Sequence, residues 1–365
     1  MGLDTSAVTD RENNFNLLRI AAAGAVLVSH AYPICLGPGS VEPLDRLLGM
    51  SLGTLAVTAF FAISGYFISQ SFQNRRSVVE FLASRVLRIY PGLLAVLLLT
   101  TILLGPAFTR IDLAYYFSDQ RTLLYVPNNL RLWRLQYELP GVFSNNPYPG
   151  VVNGSLWTLA YEVACYTIVA IVGKLGLTSN NVRFAWFLAT YATFYIAALP
   201  VLGDPDHLIL VKNVHLLSLP FLIGMTLFQF RQKIRFNFRT LSALFAASMI
   251  SYHSPWFHEI FLFAWSYTIL YLGFFKCKPL LIYNRLGDYS YGMYIYAFPV
   301  EQAVAALYGG CTPITMIALS LPPTLALATF SWHFVEKRAL ARRASFLDAG
   351  SFLTLSLLRS EKIKR

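Results

Sequence analysis

Charged residues are scarce in this chain of 365 residues, since Asp, Glu, Lys and Arg make up only 13% of it, whereas an average soluble domain carries about a quarter. Hydrophobic residues make up 56%, which excludes a set of water-soluble domains and a disordered chain. Four cysteines, 22 glycines and 18 prolines are too few for a disulfide scaffold or a collagen-like repeat. The composition therefore predicts an all-α polytopic membrane protein.

Long apolar runs predict about ten transmembrane helices, because one span needs about 20 mostly apolar residues. The predicted spans are residues 14–36, 49–71, 84–106, 153–173, 183–203, 210–230, 239–253, 258–275, 286–308 and 313–335. The seventh is short. Pro91, in the third, predicts either a kink or the true start of that helix.

The charges between the predicted spans alternate from one side to the other. Lys and Arg collect in the loops at Arg75, Arg76, Lys174, Arg183, Arg231, Lys233, Arg235, Arg239, Lys276, Lys278 and Arg285. The opposite loops carry Glu42, Asp45, Arg46, Asp204 and Asp206. Because cytoplasmic loops are enriched in Lys and Arg, the first set faces the cytoplasm, and ten spans leave both termini inside. The net charge of +11 thus indicates basic cytoplasmic loops, with no need for a nucleic-acid partner.

These predictions divide the chain into a transmembrane domain, residues 1–340, and a basic cytoplasmic tail, residues 341–365. Segment 107–152 is predicted to be a long extracytoplasmic loop, although it carries four arginines against the charge rule. Cys35 and Cys311 fall on the predicted outer side. The sequence leaves open whether these two form a disulfide or stay free.

Arg19 and His30 are ionisable residues inside the first predicted span. Eleven helical residues turn by about three full turns, so both side chains lie on one face, roughly 16 Å apart along the axis. Ionisable groups within a span are costly and suggest a functional site. A snorkelling arginine and a structural histidine explain the same pattern.

Four more ionisable residues sit within or close to predicted spans. Arg85 and Arg88 share a helix face at a predicted cytoplasmic end, where they are either ordinary loop charge or an anion clamp. Glu162 lies inside the fourth span at a depth similar to that of His30, which makes His30 a candidate partner for this buried carboxylate, with a structural pair to another polar group as the alternative. Glu301, near the outer end of the ninth span, is expected to reach the surface.

Several motifs of soluble enzymes and pumps are missing. The sequence has no His/Cys/Asp/Glu cluster with metal-ligand spacing, so we expect no metal. It also has no glycine-rich nucleotide loop of the Walker type and no GxSxG motif, which argues against an ATP-driven pump and a serine hydrolase.

Six stretches, which follow one another along nearly the whole chain, together resemble the membrane acyltransferase 3 family, the bacterial O-acylases of surface glycans and related metabolites. They are NNFNLLRIAAAGAVLVSH (13–30), FFAISGYFIS (60–69), RVLRIYP (85–91), NGSLWTLAYEVACY (153–166), LGDYSYGMYIYAFPV (286–300) and HFVEKRAL (333–340). The resemblance implies a multi-pass protein of the bacterial inner membrane that transfers an acyl group, most commonly acetyl, from cytosolic acyl-CoA to a carbohydrate or glycolipid hydroxyl.

The resemblance also implies roles for individual residues. His30 becomes the catalytic residue, as general base, and Arg19 its essential partner on the same span. Arg85 and Arg88 would contact the acyl-CoA. Trp157, Glu162 and Glu336 match further motif positions: Glu162 is expected to orient His30, and Trp157 and Glu336 to help to bind the donor.

The sequence departs from the family pattern in two places. Ala297 stands where many relatives have a second histidine, and Arg338 where many have a proline. A transporter or flippase of a lipid-linked sugar or small solute stays open as the alternative, because ten spans with buried charges fit it equally well. The acceptor, the length of the acyl group and the oligomeric state are not determined by the sequence.

Overall fold

The structure is a computed structural model that describes residues 13–75, 77–202, 209–277 and 279–342. Its long helices, numbered here in chain order, are α1 (Phe15–Leu36), α2 (Leu52–Gln73), α3 (Val78–Leu99), α4 (Trp157–Lys174), α5 (Asn181–Leu202), α6 (Ile209–Gln229), α7 (Phe238–Ile250), α8 (Phe257–Phe274), α9 (Ser290–Leu307) and α10 (Pro313–Ser331). Within these ranges the only β-pairing is two isolated bridges. The predicted all-α class is therefore confirmed.

Seven helical segments within the described ranges are long and apolar enough to cross a membrane. They are Phe15–Leu36, Leu52–Gln73, Val78–Phe108, Gly154–Lys174, Asn181–Leu199, Ile209–Gln229 and Pro313–Ala341. The other three predicted spans are also helical, but α7 has 13 residues and α8 and α9 have 18 each. The multi-pass character is thus confirmed, while the count of ten and the cytoplasmic placement of both termini stay predictions.

Helix α3 runs through Pro91, so this proline is not the start of the helix. The helix begins at Val78, where the Ser77 side chain accepts a hydrogen bond from the Glu80 amide at 3.1 Å. Beyond Leu99 the chain continues through a π-helical turn, Thr100–Leu104, and a last helical turn, Gly105–Phe108. The arginines of the motif RVLRIYP therefore lie on the second and third turns of a continuous helix.

The centre of the bundle is formed by α1, α2, α6, α9 and α10. Helix α1 packs against α2 and α9, and α9 packs against α10. Helices α2 and α6 cross closely, because a Cβ added at Gly65 would lie 1.9 Å from the Phe221 carbonyl oxygen. Helix α1, which carries Arg19 and His30, is thus held between α2 and α9.

Segment 107–152 is a packed cap with two short helices, Leu113–Ser118 and Gln120–Leu130. Tyr116 and Tyr125, which belong to these two helices, are fully buried, and the Tyr116 hydroxyl donates to the Thr101 carbonyl at 2.9 Å. Asn146 donates to both the backbone and the side-chain oxygens of Gln302 on α9. The cap therefore covers one end of α9.

Part of the predicted charge pattern lies outside the described residues. These positions are Arg76, Asp204, Asp206, Lys278 and residues 343–365 of the predicted tail.

Candidate active site

A cavity of about 560 Å³ opens within the bundle. Its walls come from α1, α2, α3, α4 and α9 together with the segment that follows α10. The charged residues that line it are Arg19, Arg75, Arg85, Arg88, Glu162 and Asp288. Four sequence-predicted site residues (Arg19, Arg85, Arg88 and Glu162) therefore meet in one place, although they come from three different helices.

Arg88 is the centre of an ion-pair network on one side of the cavity. Its guanidinium group lies 2.6 Å from Asp288 Oδ2 and 3.3 Å from Glu336 Oε2. Arg19 lies 3.8 Å from the same Asp288 oxygen. Ser290 and Ser331 donate further hydrogen bonds to Asp288 and Glu336 at 2.5 and 2.9 Å. The positive charges of Arg88 and Arg19 thus each have a carboxylate partner.

Arg85 differs from its neighbour, because no carboxylate lies within ion-pair distance of it in the part of the chain that the structure describes. Its Nε donates to the Ser84 hydroxyl at 3.2 Å, and its guanidinium lies 5.8 Å from the ring centre of Tyr166. Arg75, also in the cavity wall, pairs with Glu80 at 3.2 Å. Arg85 is therefore the cavity arginine best placed to receive an anionic ligand.

The expected pairing of Glu162 with His30 is wrong. Glu162 accepts a hydrogen bond from the Tyr166 hydroxyl, one turn along α4, and faces the arginine-lined cavity. His30 instead lies beside Glu301, with Nδ1 at 4.0 Å from Oε2. Equal depth in the membrane placed Glu162 and His30 at one level, but it carried no information on which helices are neighbours.

Glu301 is fully buried, which corrects the expectation that it reaches the surface. Neither of its carboxylate oxygens has a hydrogen-bond partner among the described residues, and the same holds for His30 Nδ1. The cap lies next to this position, because Gln302, the next residue, donates to the carbonyls of Tyr148 and Val151 at 2.8 and 2.7 Å. A buried carboxylate beside a histidine is costly and typical of a functional site.

The arginine-lined cavity and the His30–Glu301 pair are close neighbours along α9. The cavity reaches Thr158 and Tyr294, whose hydroxyls are 2.6 Å apart. Phe298, one turn beyond Tyr294, packs edge-on against the His30 ring with 5.2 Å between the ring centres. One helical turn of about 6 Å therefore separates the end of the cavity from the wall of the histidine.

Three predicted site residues, His30, Trp157 and Glu336, do not line the cavity. Trp157 is not a lining residue and stacks edge-on with Tyr161, whereas Glu336 reaches the site through Arg88. Sequence reasoning missed Asp288, although it belongs to the motif LGDYSYG, and it misplaced Glu301. Ala297, where many relatives have histidine, is fully buried.

No group of three or more His, Cys, Asp or Glu residues that could hold a metal ion occurs in the described ranges.

In the cap, burial raises the pKa of the Tyr137 hydroxyl above its usual value. The arrangement combines an arginine-lined cavity with a separate histidine–carboxylate pair.

Comparison with known proteins shows that the chain is a membrane acyltransferase. The family described as an acyltransferase domain matches residues 12–333. The chain belongs to this acyltransferase 3 family and is an O-acyltransferase, a multi-pass membrane enzyme. Family membership thus favours the enzyme over the transporter.

Two relatives align with the chain over nearly its full length. An O-acetyl transferase of Shigella phage Sf6 is 30% identical over 351 residues, which cover 93% of this chain and 99% of the relative. Nodulation protein 10 of Rhizobium leguminosarum bv. viciae is 26% identical over 385 residues, covering 95% and 98% of the two chains. No solved structure matches the chain.

Proposed function

We propose that the protein transfers an acetyl group from cytosolic acetyl-CoA to a hydroxyl of a carbohydrate or glycolipid on the outer side of the bacterial inner membrane. The observation that carries this proposal is the pairing of an arginine-lined cavity with a buried His30–Glu301 pair about one helical turn beyond its end. The similarity to the phage O-acetyl transferase supports acetyl as the acyl group.

The cavity is the proposed site of the acyl donor. CoA carries several phosphate charges, and guanidinium groups bind phosphate through paired donors. Arg85 would hold a phosphate directly, because it has no carboxylate partner among the described residues. Arg88, fixed by Asp288 and Glu336, and Arg19, beside Asp288, would shape the site and add positive charge. A volume of about 560 Å³ lies within the range of pockets for organic ligands.

His30 is the proposed general base. It would take the proton from the acceptor hydroxyl as that oxygen attacks the thioester carbonyl, and it would return the proton to the departing CoA sulfur. Glu301 would stabilise the charged imidazole, as the carboxylate of a catalytic triad does. Because Nδ1 faces Glu301 at 4.0 Å, the other ring nitrogen, Nε2, would exchange the proton with the substrates.

The donor would reach His30 along α9. Tyr294, Thr158 and Phe60 line the cavity, and Tyr294 and Phe60 pack edge-on at 6.0 Å between ring centres. The thin acyl-carrying arm of CoA would pass beside these residues, while its phosphates stay with the arginines. Donor binding and transfer would thus occur at two ends of one path.

The cap formed by residues 107–152 is the proposed acceptor surface. It exposes aromatic side chains: 85% of Trp133, 58% of Tyr115 and 36% of Tyr137 are accessible. Aromatic faces suit sugar rings, and the exposed Arg131 and Arg134 suit anionic glycans. The cap also contacts α9 beside Glu301 through Asn146 and Gln302, so an acceptor bound there would lie close to the histidine.

The decisive experiment is acetyl transfer by purified protein in lipid nanodiscs. Acetyl-CoA labelled in the acetyl group is supplied together with a glycan extract of the bacterial envelope, and CoA release and labelled glycan are both measured. The wild type is expected to release CoA and label the extract. His30→Ala is expected to lower transfer by about 10²–10⁴-fold.

His253→Ala is the matched control, because His253 is exposed and its ring packs only beside Tyr252. We expect it to transfer acetyl groups at the wild-type rate. A wild-type protein that neither binds nor cleaves acetyl-CoA would contradict the proposal, and so would full activity in His30→Ala.

A further inference from the structure

Two cysteines that lie far apart in the sequence meet near the His30–Glu301 pair. The sulfur atoms of Cys35 and Cys311 are 3.0 Å apart, although 276 residues separate them. Cys35 belongs to the last turn of α1, two residues after Pro33, and Cys311 directly precedes Thr312, the N-cap of α10. The sulfur separation exceeds a disulfide bond by about 1 Å.

The surroundings of the two cysteines favour a lasting bond. An apolar cluster encloses them, formed by Ala31, Ile34, Phe298, Ala305 and Met316. Cys311 is buried, whereas Cys35 is only half-buried, so an oxidant can reach one sulfur while the other is held beside it. The other two cysteines lie elsewhere in the bundle, Cys165 inside α4 and Cys277 after α8.

The proposed orientation places this pair on the oxidising side of the membrane. Cys35 and Cys311 lie at the end of the bundle that the cap covers, opposite the basic loops, and disulfides persist in the bacterial periplasm. We propose that Cys35 and Cys311 form a structural disulfide that joins the end of α1 to the connection between α9 and α10. This inference rests on the membrane orientation of the proposed function and extends beyond the reaction itself.

The chemistry of the step balances by thiol–disulfide exchange. The Cys35 thiolate attacks the disulfide of a periplasmic oxidant protein and forms a mixed disulfide, and the Cys311 thiolate then displaces the oxidant. The two cysteines lose two electrons and two protons in total, and the oxidant becomes a dithiol.

The bond would fix the geometry of the histidine site. Cys35 follows His30 by five residues on α1, and Phe298 of the same apolar cluster packs against the His30 ring. Cys311 follows α9, the helix of Glu301, after a short turn that contains Gly310 with φ of +74°. A covalent link between these two places would hold His30 and Glu301 in register.

Thiol trapping tests the proposal directly. The full-length protein is denatured straight from membranes in excess N-ethylmaleimide, then reduced and treated with a polyethylene-glycol maleimide that shifts its mobility on a gel. The wild type is expected to gain two adducts after reduction and none without it. Cys277→Ser is the matched control and should also gain two, whereas Cys35→Ser and Cys311→Ala should gain none.

Peptide mapping of the unreduced wild type provides a second measurement that needs no variant. The peptides of Cys35 and Cys311 should appear joined and lighter by two hydrogen atoms than the sum of the separate peptides. Reduction should lower the melting temperature of the wild type by about 3 °C or more and should leave Cys35→Ser unchanged.

A wild type with four alkylated thiols, or a Cys35→Ser variant that still gains adducts, would overturn the proposal. Because the adduct count needs no substrate, its failure is distinguishable from a failure of acetyl transfer.

Discussion

Two buried carboxylates, Glu162 and Glu301, serve different ends of the site. Glu162 lines the cavity with the arginines, and Glu301 lies beside His30. We predict that Glu301→Gln lowers kcat by at least about tenfold with little change in KM for acetyl-CoA, since a neutral amide no longer stabilises the charged imidazole. Steady-state kinetics in nanodiscs with varied acetyl-CoA measures both constants.

Glu162→Gln is the matched control for that variant, because it makes the same chemical change at the other carboxylate. We expect its main effect on KM for the donor, since it alters the charge of the arginine-lined cavity. If Glu162→Gln lost kcat and Glu301→Gln kept it, the sequence-based pairing of Glu162 with His30 would be restored and the His30–Glu301 assignment abandoned.

Arg85 and Arg88 make a second matched pair, on one helix face with different partners. We predict that Arg85→Ala raises KM for acetyl-CoA by about tenfold or more, which is the value of a charge-assisted hydrogen bond. Its melting temperature should stay close to that of the wild type, because no carboxylate near it loses its partner among the described residues.

Arg88→Ala should instead destabilise the fold by about 3–5 kcal/mol, since it leaves Glu336 buried without its cation and Asp288 with only the more distant Arg19. Thermal unfolding in detergent separates the two variants. Equal melting temperatures would show that the Arg88 network is not structural.

The sequence placed ionisable residues on their helices but did not determine how these residues pair. Helical periodicity placed Arg19 and His30 on one face of one helix, and the structure has both on α1. It could not predict that α9 and not α4 supplies the carboxylate beside His30, because periodicity does not determine which helices touch. Glu301 was expected at the surface because nothing in the sequence indicates that the cap binds α9 beside it, through the hydrogen bond from Asn146 to Gln302.

Among the helices, α2 and α6 cross at a point where their backbones lie close together. An added Cβ at Gly65 would lie 1.9 Å from the Phe221 carbonyl oxygen, and one at Gly224 would lie 2.1 Å from the Ala62 carbonyl oxygen. Small residues allow such close approach of helices in membranes. We predict that Gly65→Ala destabilises the protein by about 1–3 kcal/mol, because backbone on both helices must move.

Gly24→Ala is the control for the crossing, since its added Cβ would meet only the flexible end of Met293 at 3.6 Å. Its melting temperature in detergent should equal or exceed that of the wild type, because alanine favours a helix over glycine. A Gly65→Ala variant as stable as Gly24→Ala would contradict the close packing of α2 on α6.

Hydropathy predicted the positions of the long helices along the chain, but it did not predict how each segment packs in the bundle. All ten predicted spans coincide with helices, but the 13 residues of α7 are fewer than a straight crossing of the membrane requires. Segment 107–152 was predicted to be a loop because its helices are short and interrupted, yet it is a cap with buried Tyr116 and Tyr125. Burial of aromatic residues within a polar segment is decided by tertiary packing.

For the whole molecule, the proposed transfer across the membrane requires the cap and the basic loops to lie on opposite sides. We predict that a single cysteine at Asn145→Cys in the cap reacts with a membrane-impermeant maleimide in intact cells. Lys174→Cys, at the other end of α4, should react only after permeabilisation. Both positions are exposed, and the background has its four cysteines replaced by serine. Labelling of Lys174→Cys in intact cells would contradict the orientation.

The central claim is that one path carries the acetyl group from an inner donor cavity to an outer histidine, and its most direct test is the sidedness of transfer. Inverted membrane vesicles are loaded with an envelope-glycan extract, and labelled acetyl-CoA is added outside, on the former cytoplasmic face. We expect labelled glycan in the lumen of wild-type vesicles and none in His30→Ala vesicles. Label that reaches glycan only on the side where acetyl-CoA was supplied would contradict the central claim.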